Sequence, residues 1–543
     1  MLGAGSVSFT NTSDIRTSST SAGSGSIDAV AGTGGITQSA TSLITSTGAT
    51  ATARLVAGTD VTVGDIVLGT GKVSITATTG SIVDADVVTT TNDADQDITA
   101  GALRLSAGAA VGESIDHLET TVVTLSARAG NGSIYLLEAD ALTVDDVGLS
   151  VNRVGSDGAT LTTTTDASQS DIRTTGGNGS IVLRTTAGTI TLNDGANSAG
   201  VSVSANGSGS ILLDVNSGNL VVNSDILSGT GHITLKAATD VLLGSGSATG
   251  VDVQTSTAGT ISIDAEAGAL TMAGTANVTA TNSSARLNAA TSVTLGNVTA
   301  ANVSVVSDTG AIINAAGSTK NVTATNLRLQ ADDAMGDAAR HLSTKVDTLT
   351  AVSTGTTTAG IYLTEDSALS VDTVTVSVTE FSSTATTSVV TDANQSDLVT
   401  GNNGHIVLVA GGSVTLNDGS ANVGLAGLAG KAVSANGTGS VLIDVNAGDL
   451  LVNADIASST GHITLKAAQG ISLVAGADVS TASTGTVSVD AEGGDLTMSG
   501  TASITATNSS VRLNASGSVT LGQVIATSVS VVADTGAIVN AAG

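Results

Sequence analysis

The sequence predicts an all-β fold, a parallel β-helix solenoid built from tandem super-repeats of about 225–230 residues. Three observations carry that prediction. The stretch from Gly207 to Gly317 is written a second time from Gly437 to Gly543: GSGSILLDVNSGNLVVNSDI is answered by GTGSVLIDVNAGDLLVNADI, and TATNSSARLNAATSVTLGNV by TATNSSVRLNASGSVTLGQV. Within each copy runs a shorter beat, GSILLDV, LVVN, GHITLKA, VLLG, GTISIDA, in which apolar and small polar residues alternate between Gly, Ser, Asn or Asp turns. Such alternation marks strands with one buried face. Finally, the 543 residues contain no proline, where average usage would give roughly 27. Proline removes a ladder donor, so a chain without it is suited to hydrogen bonding into sheet along nearly its whole length.

Taken in order, residues 1–101 read as the end of an earlier copy, because ARLVAGTDVTVGDIVLGTGKVSITATTGSIVDA (Ala53–Ala85) parallels ARLNAATSVTLGNVTAANVSVVSDTGAIINAA. Residues 102–325 form one copy and 326–543 the next: LRLSAGAAVGESIDHLETTVVTLSA returns as LRLQADDAMGDAARHLSTKVDTLTA, and TDASQSDI at Thr165 returns as TDANQSDL at Thr391. Gly231 and Gly461 are 230 residues apart, Met272 and Met498 are 226, and Leu103 and Leu327 are 224, so the period drifts slightly within one continuous solenoid. Strands this short close no core alone. A sandwich ends at a fixed strand number, whereas a β-helix coils on, each strand pairing with its equivalent one rung above. Rungs of about 20–30 residues, spaced about 4.8 Å apart, make a rod on the order of 100 Å long. The stretches Ala109–Val122 and Asp333–Val346 break the alternation and are expected to leave the body as loops or single helical turns. Asn282 and Asn288, mirrored at Asn508 and Asn514, suit left-handed turns and stacked amides.

Composition narrows the function classes. Seventeen Lys and Arg against 46 Asp and Glu leave a formal charge of −29, the wrong sign for neutralising nucleic-acid phosphates or anionic lipid. Cysteine is absent, which removes disulfides and thiolate metal sites together. No uninterrupted apolar run approaches the 18 or more residues of a membrane span, so the chain is expected not to be membrane-embedded. The N-terminal MLGAGSVSFTNTSD has neither the basic nor the apolar region of a signal peptide, as expected of a segment from a longer protein. Disorder is disfavoured by the wealth of Val, Ile and Leu.

The GxIxLxAxxGxLxV beat, the proline-free Gly/Thr/Asn/Ala background and the recurring LRLxA, HL, TL and IYL block resemble the filamentous-haemagglutinin-like bacterial surface proteins, the giant β-strand-repeat adhesins. The resemblance covers essentially the whole chain and rests on repeat style. It implies a right-handed parallel β-helix, secreted and displayed at the cell surface as a stalk or fibre. The N-terminal secretion domain and the adhesive head of that family have no counterpart in this sequence.

Asp214 and Asp264, or Asp444 and Asp490, are the carboxylates that a polysaccharide-cleaving β-helix would use. Each has a twin one super-repeat away, whereas an active site is normally built once, and they fit solvent-facing turn or strand-edge positions better. Sugar grooves favour aromatic platforms, and the chain has only Phe9, Tyr135, Tyr362 and Phe381; the two tyrosines lie in equivalent IYL strands, where packing explains them. The five histidines, His117, His232, His341, His405 and His462, are never at ligand spacing. Calcium is the one cofactor with a candidate: NDADQD offers Asp93, Asp95 and Asp97 as alternating oxygen ligands, without the Gly and closing Glu of an EF-hand. No catalytic residue is assigned.

The expected function is a non-enzymatic rod or shaft of an extracellular adhesin or surface fibre. Its expected partners are neighbouring repeats, itself, or a host or cell-surface receptor. A filament subunit joined end to end is the first alternative, and a carbohydrate-active enzyme the second.

Overall fold

A computed structural model describes residues 2–3, 5–10, 13–18, 25–86, 95–196, 200–244, 250–355, 359–419 and 428–542. Among them there is no helix; the protein is all-β, dominated by one long parallel sheet. The chain divides into two compact units, one of Met1–Glu266, Thr279–Thr281 and Thr379–Val389, the other of Ala267–Val278, Asn282–Val378 and Val390–Gly543.

From Ile172 to Ala237 each strand of the first unit pairs in parallel with the third strand after it, which is the pairing of a chain that coils and is consistent with a β-solenoid. One ladder joins Ile134–Glu138, Ile181–Thr185, Ile211–Val215, Ile233–Ala237 and Ile261–Ala265. A second joins Leu142–Val144, Ile190–Leu192, Leu220–Val222 and Val241–Leu243. A third joins Ile172–Thr174, Val201–Ala205, Asp225–Ser228 and Asp252–Thr255. The register explains the monotony of the sequence. Ile181, Ile211, Ile233 and Ile261 stack directly upon one another, as do Leu183, Leu213, Leu235 and Ile263, and all are 0% exposed. Each such side chain is worth about 1.5–3 kcal/mol of burial, and the next rung must supply a similar shape to keep the column closed.

The second unit repeats this arrangement with Gly360–Glu365, His405–Ala410, Val441–Val445, Ile463–Ala467 and Val487–Ala491 in one ladder. Leu369–Val371, Val414–Leu416, Leu450–Val452, Ile471–Leu473 and Leu496–Met498 form another.

Corners are set by glycine. A Cβ added to Gly209 would lie 2.0 Å from the Gly179 carbonyl oxygen, one on Gly231 would lie 2.1 Å from that of Gly209, and one on Gly461 would lie 2.1 Å from that of Gly439. Stacked rungs leave no room for a side chain there. A hydroxyl from the third ladder closes each corner: Ser228 Oγ donates to Gly209 O at 2.8 Å, Thr255 Oγ1 to Gly231 O at 2.7 Å, and Ser458 Oγ to Gly439 O at 2.7 Å. Asn282 and Asn508 adopt φ of 58° and 60°, the left-handed conformation their sequence positions suggest. They lie inside the long strands Asn277–Ala289 and Ser503–Ala515. Stacked amides also occur, at Asn193 with Asn223 (3.1 Å) and Asn417 with Asn453 (2.8 Å).

Two features differ from the sequence expectation. The stretches expected as loops or helical turns hold a tight turn, closed by Glu113 N–H to Asp116 O at 2.7 Å and by Asp337 N–H to Arg340 O at 3.0 Å, but no helix, and on either side of it they stay in the sheet: Val111 and Met335 each bridge in parallel to both neighbouring rungs, and Leu118–Ala129 and Leu342–Ser353 are long strands. In addition, antiparallel hairpins interrupt the parallel pattern at Val147–Val154 with Leu161–Gln169, and at Val374–Phe381 with Thr387–Gln395. The first is fastened by Arg54, which pairs with Asp166 at 2.8 Å and Asp28 at 3.1 Å, and by Gln169 Nε2 donating to Leu105 O at 2.8 Å. At the sequence counterparts, Arg286 pairs with Asp392 at 3.0 Å and Gln395 Nε2 donates to Leu329 O at 2.8 Å.

Candidate functional site

The carboxylates considered for catalysis are engaged in pairs that run from rung to rung. Arg184, Asp214, Lys236 and Asp264 occupy one row of successive strands, so opposite charges face each other along the ladder; Arg184 Nε lies 3.0 Å from Asp214. In the other unit Lys466 lies 3.6 Å from Asp444 and 3.1 Å from Glu492, and Arg512 lies 3.3 Å from Asp490. Asp490 also accepts from Asn514 Nδ2 at 2.8 Å. Cross-strand ion pairs of this kind relieve the like-charge repulsion that a stack of acids would carry. Each of the four carboxylates has a lysine opposite it on an adjacent strand, Lys236 for Asp214 and Asp264 and Lys466 for Asp444 and Asp490.

The histidines also bond to the adjacent rung. His232 Nδ1 lies 3.0 Å from Thr260 Oγ1, and His462 Nδ1 lies 2.9 Å from Thr486 Oγ1. His117 lies against the Ser383 carbonyl (3.1 Å) and stacks on Tyr135; burial, partly offset by that carbonyl, lowers its pKa to about 4. Tyr135 is 9% exposed, in a cluster with Val182, Leu212 and Phe381. Tyr362 departs from the packing expectation, since it is only half-buried and lines a groove.

One cluster among the described residues has the composition of a cation site, and it contains one of the three calcium candidates. Asp84, Asp97 and Glu119 are all buried, and each offers a carboxylate oxygen within 4.8 Å of the others. Three elements bring them together. Asp84 ends the strand Ile82–Asp84, Asp97 directly precedes Ile98–Ala107, and Glu119 is the second residue of Leu118–Ala129. Asp97 Oδ2 accepts from the Glu119 backbone N–H at 2.8 Å, and Asp84 Oδ1 from that of Asp86 at 3.0 Å. Burial, followed by the neighbouring Asp84 as hydrogen-bond partner and charge, holds the Asp97 carboxyl far above its ordinary range. Carboxylates in contact and out of water need either a proton between them or a cation among them. Three hard oxygen donors fit calcium or magnesium in kind and supply part of the six to eight oxygens calcium takes.

Asp95 does not join this group. It is exposed and its Oδ1 accepts from the Gln96 backbone N–H at 3.0 Å. Asp93 lies outside the described residues. The alternation Asp93, Asp95, Asp97 therefore pointed to the right region through one residue. The partners of that residue come from 13 positions before and 22 after, a juxtaposition visible only once the rungs are stacked.

Glu138 is a further buried acid that sequence reasoning passed over. It accepts from Thr120 Oγ1 at 2.7 Å and from the Val122 N–H at 2.9 Å, and burial raises its pKa to about 8. Glu365 receives Thr344 Oγ1 at 2.8 Å in the same manner. The signal available in the sequence was the recurrence of Glu in the IYL strand at both places.

The chain matches no protein-family model, no curated protein and no solved structure.

Proposed function

We propose that the chain is a length of the shaft of an extracellular bacterial adhesin or surface fibre, a right-handed parallel β-helix of tandem super-repeats whose work is mechanical and not enzymatic. The observation that supports this reading is the use made of the polar groups. Acids, bases, amides and corner hydroxyls are spent on the adjacent rung, as in Arg184–Asp214, Asn417–Asn453 and Ser458–Gly439. A chain built this way gains length with each rung and loses none of its core, which suits a spacer that presents something else at a distance.

Electron microscopy of the purified chain tests the proposal. Single rods on the order of 100 Å are expected. Deleting one 230-residue period, Gly231 to the residue before Gly461, should shorten them by about 45 Å, since about nine rungs of about 4.8 Å are removed. Globular particles, or a deletion that leaves the length unchanged, would sink the shaft. Uniform filaments growing with concentration would make polymerisation the function.

A further inference from the structure

A row of side chains on the outer face of the first unit holds a hairpin tip, and the matching row of the second unit forms a groove. In the first unit Tyr135, Val182, Leu212, Thr234 and Ser262 follow one another across five paired strands. The segment Thr379–Val389 belongs to this unit and lies along the row. Phe381 packs on Tyr135, Val182 and Leu212, and its backbone N–H donates to Thr234 Oγ1 at 2.9 Å. Ser262 Oγ donates to Glu380 Oε1 at 2.8 Å, Lys236 Nζ lies 2.8 Å from Glu380 Oε2, and the Thr379 N–H donates to Thr260 Oγ1 at 3.0 Å. All five members of the row are buried.

In the second unit the corresponding row is Tyr362, Val407, Leu442, Thr464 and Ser488, in the same register on five paired strands. Every one of these side chains is half-buried, not buried. Tyr362, Val407, Leu442 and Thr464, with His405 and His462, line a largely apolar groove of about 470 Å³. Lys466 stands where Lys236 stands, two residues beyond the threonine of the row. Thr486, paired with His462, stands where Thr260 stands, paired with His232.

From this correspondence we propose that the Tyr362–Val407–Leu442 groove is a docking site for a separate β-hairpin that carries an acidic residue followed by an aromatic one. The aromatic ring fills the apolar row, the acid takes the place of the exposed Glu492 at Lys466 and accepts from Ser488, and the strand backbone bonds to Thr464 and Thr486. Charge selects the occupant. The hairpin at Val147–Gln169 places Arg153 and Val154 where the other places Glu380 and Phe381. Arg153 is paired with Asp28, and a cation at that position would face Lys466.

The test is binding of a backbone-cyclised peptide of residues 374–395 to the full chain, read by calorimetry and by hydrogen exchange. Saturable binding is expected, with new protection at Tyr362, Val407, Leu442 and Thr464. The peptide with Phe381→Ala should bind at least tenfold more weakly, as loss of a buried aromatic anchor does. Val407→Lys or Leu442→Glu in the chain should abolish binding while exchange elsewhere is unchanged. Absence of saturation into the millimolar range would overturn the proposal. So would protection confined to Tyr135, Val182 and Leu212, which would mean exchange with the chain's own tip. A concentration-dependent dimer with the same footprint would give the groove to a second copy and overturn its assignment to a separate hairpin.

Discussion

Asp84, Asp97 and Glu119 sit at positions that the next sequence copy fills with Asn314, Asn321 and Ser343, and the two places share one backbone plan. The Glu119 N–H donates to Asp97 Oδ2 at 2.8 Å, and the Ser343 N–H donates to Asn321 Oδ1 at 2.9 Å. The difference lies in what meets the second side-chain atom. In the amide version Asn321 Nδ2 donates to Asn314 Oδ1 at 3.0 Å and to the Leu295 carbonyl at 2.9 Å, so a fully buried side chain carries its own protons. In the acid version a carboxylate faces a carboxylate, and the proton or positive charge has to be captured from solution. One rung is self-sufficient and the other is conditional, although their folds coincide.

The largest break in this comparison is Asn321→Asp. It places an acceptor against the Leu295 carbonyl and Asn314 Oδ1, and should cost about 3 kcal/mol at pH 8. Hydrogen exchange at the Ser343 amide would report the loss locally. The loss should shrink at pH 4, where the new acid is protonated. Unchanged protection at pH 8 would show that the amide's protons are not what the rung depends on.

Asp97→Asn is the converse. The Asp97 carboxyl is held above its ordinary 3.8, so the fold retains a proton that the unfolded chain releases. That contribution is complete below pH 3.8 and lost as pH rises towards the folded value. The variant should therefore gain about 1 kcal/mol at pH 8 and nothing near pH 4, flattening the pH profile of the Glu119 amide. Calcium titrated into both proteins separates proton from cation. Protection that rises only with the natural chain assigns the balance to the ion, and protection unmoved in both assigns it to the proton.

Glu138→Gln sharpens the same contrast on a single acid. With its pKa raised from 4.5 to about 8, the natural chain should lose stability as pH climbs through that interval, and the variant should not. At pH 6 the two should agree to about 1 kcal/mol, since the amide keeps one acceptor for Thr120 or Val122. The smallest effect is expected at Lys320, whose Nζ lies 2.9 Å from Ser343 Oγ and also pairs with Asp366. Lys320→Ala should cost about 0.5 kcal/mol by urea unfolding, because the pair is partly solvated.

Much of the fold was legible because it rests on local alternation. The columns through Ile211 and Leu213 are written directly in GSILLDV and GHITLKA, and the left-handed Asn282 follows from residue type. The hairpins were not legible. VGLSVNRV alternates like the parallel strands and LTTTTDASQ carries no alternation at all, and what makes them antiparallel is the turn around Gly158, at φ 69°, together with Arg54 reaching Asp166 from 112 residues away. The acid cluster was legible by one member, Asp97. Stacking unites residues about one rung apart, and no short motif spans that distance. Asp214 and Asp490, expected at solvent-facing turns or strand edges, lie half-buried within Ile211–Val215 and Val487–Ala491, and the cations opposite them were hidden for the same reason.

The glycine corners have a consequence for how such a gene can change. Since a Cβ at Gly209, Gly231 or Gly461 would collide with the carbonyl one rung away, and Ile211, Ile233 and Ile261 share one column, unequal crossing-over between equivalent positions of two rungs keeps glycine at the corner and isoleucine in its column. Recombination between misaligned copies then yields a shorter or longer chain that still folds. A crossover between non-equivalent positions leaves a partial rung whose alternation is out of step with its neighbours. Length becomes a heritable quantity that varies in whole turns of the coil.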